Sequence, residues 1–139
     1  MLHRGLATTL ILLATSISTF ARDQGYPAVP LLSTGVNIVG ETISYPATGP
    51  ARVTASIVTL APGEQTIVHR HGVPLFAYIL EGELTVDYGT HGTRIYRAGD
   101  AFMEAMAVAH FGRNTGTAPV RLLAVYMGAA GADDVMAGK

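Results

Sequence analysis

GEQTIVHRHGVPLFAYILEG, residues 63–82, is the stretch that decides the fold. It places His69 and His71 one residue apart at the end of a run rich in β-branched residues. Side chains in a strand alternate between faces, so residues i and i+2 point the same way and both imidazoles project toward one point. That is how a strand offers a metal two ligands. A third histidine, His110, stands in a later β-prone run, whereas His91 sits between Thr90 and Gly92 in an expected turn. A lone His-x-His usually faces water. What raises this one is the pair of bracketing glycines, Gly63 and Gly82, together with His110.

Outward from this stretch the chain reads as short strands broken by turn residues. Strands are expected at 52–60, 66–71, 76–80, 83–88, 93–96, 101–105, 108–114 and 120–127, punctuated by Pro62-Gly63, Gly72-Val73-Pro74, Glu81-Gly82, Gly89 to Gly92, Ala98-Gly99-Asp100 and Asn114-Thr115-Gly116. No part of this body, 51–128, carries a sustained helical period. Closely and evenly spaced short strands mean an all-β sandwich or small barrel. Before it, 22–50 is rich in Pro, Gly, Ser and Thr, with β-prone pieces at 36–39 and 41–45. It reads as an N-terminal arm with one or two edge strands laid on the body. The Ala- and Gly-rich end, 129–139, is expected to be a loose tail.

Residues 1–21 read as a secretory signal peptide: a short basic start containing Arg4, an uncharged apolar run from Leu6 to Phe20, and a cleavage site after Ala21. The run is shorter than the ~20 apolar residues a membrane-spanning helix needs. The expected protein is therefore exported, periplasmic or secreted, with no membrane attachment after cleavage.

With 139 residues, 49% of them hydrophobic, the chain has the size and composition of one globular domain. A net charge of −1 gives no footprint for nucleic acid. The absence of cysteine removes disulfides, thiolate ligands and a cysteine nucleophile. No Gly-x-Ser-x-Gly elbow, phosphate-binding glycine loop or dinucleotide fingerprint is present. The histidine constellation has no rival.

Gly63, His69-x-His71 and Gly82, followed by Gly99, His110 and Asn114, resemble the paired motifs of the cupin superfamily over residues 52–127. The resemblance implies a jelly-roll β-barrel whose motif histidines look inward and hold one divalent transition metal. It also implies a homodimer, with the contact expected near residues 31–45. Two positions depart from the family pattern. The glutamate ligand of the first motif falls at Leu75, which cannot ligate, and the proline and glycine of the second motif's turn are replaced by Ala105 and Ala107.

Glu104 is the candidate replacement ligand. It is the only acid in the apolar run 101–109, and it shares a strand face with Phe102. Two readings stay open: an interior carboxylate paired with a metal, since a lone buried one is costly, or a rim residue meeting water. The expected metal set is therefore His69, His71 and His110, with Glu104 as fourth ligand. Such a set suits Fe, Mn, Zn, Cu or Ni. Phe76, Phe102, Leu75 and Ile79 are expected in the core or pocket wall, Tyr78 and Tyr88 in the core or a subunit contact, and Asn114 on the backbone of its turn. Gln65 is expected to be solvated, and Arg113 either meets an anionic ligand at the barrel mouth or pairs with a surface acid.

Three functions remain in play. The first is a metal-dependent enzyme on a small molecule, a dioxygenase ahead of an isomerase or lyase, because the family includes three-histidine centres that work with O2. The second is a binding or sensor module using the same metal, and the third is a structural barrel. Fold alone does not choose among them.

Overall fold

The structure is a computed structural model that describes residues 26–138. The chain divides into two units, 1–30 and 31–139. Of the first, residues 26–30 are described; they are exposed and irregular. The signal peptide read at 1–21 lies outside the described residues.

The second unit is the barrel. Its strands are β1 (Ala51–Leu60), β2 (His69–Arg70), β3 (Leu75–Glu81), β4 (Glu83–Asp87), β5 (Thr93–Arg97), β6 (Ala101–Met103), β7 (Phe111–Arg113), β8 (Val120–Ala129) and β9 (Met136–Ala137), with one 3-10 turn at Gly89–His91. β1, β8, β3 and β6 form one antiparallel sheet in that order, and β5, β4 and β7 form the facing sheet. Bridges between Gln65 and Arg113 and between His69 and His110 carry the second sheet on to β2, which pairs with β9. The result is the jelly-roll barrel expected from the sequence.

Period-2 alternation sets the interior. Leu75, Ala77 and Ile79 of β3, Leu84 and Val86 of β4, Phe102 of β6 and Val120, Leu122 and Ala124 of β8 are all buried and point inward. Phe76 does not join them. Adjacent to Leu75 in a strand, it must face the other way, and it lies half-buried on the outer face beside Met103 and Met127. At the tip between β3 and β4, Gly82 has φ 79°, and a Cβ there would collide with the carbonyl oxygen of Pro119. Glycine is required on both counts.

Three segments differ from the sequence expectation. In 66–71 only His69–Arg70 forms a regular strand, because the Thr66 hydroxyl accepts the Gly112 N–H at 3.0 Å and interrupts the ladder. Among its described residues the arm makes a single bridge, Val36 to Thr42, instead of edge strands. Its turn is held by the Asn37 side chain, which accepts the Val39 and Glu41 N–H groups. Last, the expected loose tail is tied down. β9 pairs with β2, the Gly138 N–H donates to Val68 O at 2.8 Å, and Asp134 forms an ion pair with Arg52 at 2.6 Å. Gly72 permits this approach, since a Cβ there would fall on Asp133 O.

Candidate metal centre

His69 on β2, His71 just beyond it and His110 at the entry to β7 converge inside the barrel, their ring centroids 4.6–5.1 Å apart. The His69–His110 bridge, with N–H donation in both directions at 2.9 and 3.0 Å, locks the two chain segments together. Each ring is then fixed by its Nδ1: His69 to Ile67 O at 2.7 Å, His110 to Val108 O at 2.9 Å, and His71 to Asp134 O at 3.0 Å. A carbonyl only accepts, so each Nδ1 carries the proton and each Nε2 presents its lone pair. One ligand atom from each ring lies within 4.8 Å of the others. The Nε2 atoms of His71 and His110 are buried with no hydrogen-bond partner. Buried polar atoms are ordinarily paired, so two orphaned lone pairs aimed at one point fit a bound cation.

Burial also keeps these imidazoles neutral. It depresses all three pKa values, that of His71 to about 4, against the opposing pull of the backbone carbonyl each ring bonds. Neutral imidazole is the ligating form.

Glu104 resolves to the interior rather than the rim, only 6% exposed. Oε1 accepts the Ala105 N–H at 2.8 Å, while Oε2 stands 3.8 Å from His110 Nε2. Burial pushes its carboxyl up to about 7, against the lowering effect of the Tyr88 hydroxyl and the Ala105 N–H. Tyr88 in turn meets the Tyr96 hydroxyl at 3.0 Å, and Tyr96 stacks on Phe102. Burial drives both phenol pKa values upward, so Tyr88 and Tyr96 remain protonated at neutral pH.

The centre opens on a cavity of about 90 Å³. Its walls include Leu60, Leu75, Leu84, Val86 and Leu122, with Thr66, Glu104 and Tyr126 as the polar side chains beside the histidines. Leu75, where the resemblance puts a ligand, is thus an apolar wall residue. The Arg113 guanidinium donates to Gln65 Oε1 at 2.6 and 3.0 Å, so Gln65 is a partner and not merely solvated. Asn114 bonds Leu60 O, Ala118 O and the Gly116 N–H, serving the turn as read. His91 is exposed in the 3-10 turn.

Three contributors escape the sequence reading. Tyr126 follows Leu122 and Ala124 at period 2, and extending that alternation to the end of β8 finds it. Glu41 reaches from the arm to accept the Met106 and Ala107 N–H groups at 2.8 and 3.0 Å. It thereby supports the 104–109 loop from which the His71 N–H finds Met106 O. Asp134 acts through its carbonyl, which no residue type announces.

A search of curated proteins finds no match. Among solved structures, an oxalate decarboxylase from Lactobacillus farciminis, in a formate complex, superposes with TM-score 0.53 at 22% identity over 61% of this chain and 26% of its own. The Bacillus subtilis oxalate decarboxylase, in a study of its Mn(II) centres, gives 0.51 at 23% identity over 61% and 23%. This chain spans about a quarter of the length of each, and such likeness carries the fold alone. The family described as Cupin domain matches residues 56–126, just over half of the chain, taking in all three histidines and Glu104. A barrel of two facing sheets, three inward imidazoles at its centre and a match of that extent together place this chain in the cupin family.

Proposed function

We propose that the protein is a metal-dependent enzyme acting on a small molecule, a dioxygenase ahead of an isomerase or lyase. His69, His71 and His110 hold one divalent metal. The observation that carries this reading is the set of inward Nε2 lone pairs, two of them buried without partners, on the wall of an apolar cavity. A divalent metal held there supplies a Lewis acid with open positions for substrate or O2.

The chain's own residues supply the rest. Leu75, Leu84, Val86 and Leu122 exclude water, which strengthens electrostatic interactions at the centre. Glu104 stands outside the tight histidine triplet, and with its carboxyl pushed up to about 7 it exchanges a proton near neutral pH, so we assign it to proton transfer beside the metal rather than to the fourth ligand position. Tyr88 fixes that carboxyl and is itself positioned by Tyr96.

The test is to load separate samples with Fe(II), Mn(II), Cu(II) and Zn(II), then screen small enolisable, phenolic and thiol compounds for O2 consumption and redox-neutral conversion. Conversion in at least one form is expected. Binding without conversion in several well-occupied forms transfers the proposal to a binding or sensor module.

Export and dimerisation belong to the same proposal. Residues 1–21 motivate export, and an N-terminus at Arg22 in native protein recovered from its source is the expected mass-spectrometric result. The outer face of the β1–β8–β3 sheet motivates a homodimer: Val53, Ala55, Ile57, Phe76, Tyr78, Leu123, Val125 and Met127 share it in register, with no charged residue among them. Val53 is 65% and Ile57 50% exposed. A contiguous apolar face of this kind marks an interaction surface, and a second copy is the self-complementary occupant. Leu32 and Tyr45 of the arm border it beside Phe76 and Met127.

A further inference from the structure

We infer that the substrate or ligand carries one metal-binding oxygen group on a compact body without charge, and that this body lies inward among Leu60, Leu84, Val86 and Leu122. This rests on the proposed metal centre and adds the chemical class that the centre accepts.

The argument is one of complementarity. No arginine or lysine is among the described residues that line the cavity. Arg113 is turned to Gln65 on the exposed side of β7, and Arg52 is engaged by Asp134. Among the described lining residues, the titratable groups besides the imidazoles are the Glu104 carboxyl and the Tyr126 phenol, and neither becomes a cation. One anionic or polarisable oxygen finds its partner in the metal. A second anionic group on the same molecule finds no lysine or arginine among the described lining residues, only the single hydroxyls of Thr66 and Tyr126, and an anion without a cationic partner in an apolar cavity is costly. The small volume, about 90 Å³, and the leucine and valine walls give a second charged group few partners to replace the water it sheds on entering. An apolar body gains from the same walls, which exclude water around it. Discrimination therefore comes from rejecting a second charge as much as from attracting the first oxygen.

Butanoate and succinate separate these effects, since both place a carboxylate on the metal and both have a four-carbon skeleton, but only succinate carries a charge at the far end. Full-length protein is loaded with Co(II), its metal content is counted, and each acid is titrated at pH 8 by calorimetry and by the visible spectrum of the metal. Butanoate is expected to perturb the Co(II) spectrum and to bind on the order of 100-fold more tightly than succinate. Equal affinities, or tighter succinate, in a chain that holds its Co(II) overturn the inference and leave the metal reading standing. Failure of both acids to bind such a chain overturns it as well. A folded chain that takes up no Co(II) overturns the metal reading, and the inference falls with it.

Discussion

Glu104 and the imidazoles beside it respond to acid in opposite senses in the metal-free protein. The Glu104 carboxyl sits at about 7 in the folded chain against an ordinary 4.5, so between these values the folded state holds a proton that the unfolded state releases. Its stabilising effect is complete below 4.5 and is lost as pH rises through 7. The histidine pKa values are depressed from 6.5, that of His71 to about 4. Their effect is complete above 6.5 and is lost as pH falls toward the folded values. Glu104→Gln isolates the first contribution. On moving from pH 8 to pH 4.5, metal-free wild type should gain about 3 kcal/mol relative to the variant in urea unfolding. A difference that stays constant with pH would show that the carboxyl is not shifted. The same variant should keep most of its metal if Glu104 handles a proton, and lose it if Glu104 ligates. The interior direction of Glu104 follows from its shared face with Phe102, a consequence of strand period that the sequence exposes. The ring lock of His71 is hidden, because its partner is the backbone carbonyl of Asp134, 63 residues away.

Among the elements, β9 is the one with most leverage on the site, since its strand pairs with β2 and its approach segment holds His71. Ending the chain after Ala132 should weaken metal binding by about 10-fold or more, in the range found when supports of ligating histidines are lost. Gly72→Ala should act in the same direction by displacing Asp133. Unchanged metal affinity by competition titration in both variants would mean that the strap is incidental. Glu41 is the arm's counterpart. Glu41→Ala strips two N–H partners from the 104–109 loop and should cost about 1–3 kcal/mol in urea unfolding. The strands from β3 to β8 are legible because alternation and turn glycines agree there; Gly82 is both a turn signal and a steric necessity. The order of the arm and tail is not legible in the sequence, for one reason. Their order comes from the Asn37 and Glu41 side chains, the Arg52–Asp134 pair and a two-residue strand, which are tertiary contacts without a periodic signature.

At the scale of the whole molecule, the barrel keeps two apolar regions apart: an inner cavity around the histidines and an outer face on the β1–β8–β3 sheet. The outer face should bring two copies together, so light scattering at micromolar concentration should give twice the chain mass, and Ile57→Lys should shift it toward the monomer by placing like charges on that face. A monomer in the unaltered protein would remove the dimer proposal without touching the metal centre. The central claim concerns the inner region and has a more direct test. Folded wild type, His71→Ala and His91→Ala proteins are purified, incubated with Zn(II) or Mn(II), desalted and counted for metal per chain. One metal per chain is predicted for wild type and His91→Ala, with most of it lost in His71→Ala. Equal metal content in the two variants, whether high or low, would contradict a centre built on His69, His71 and His110.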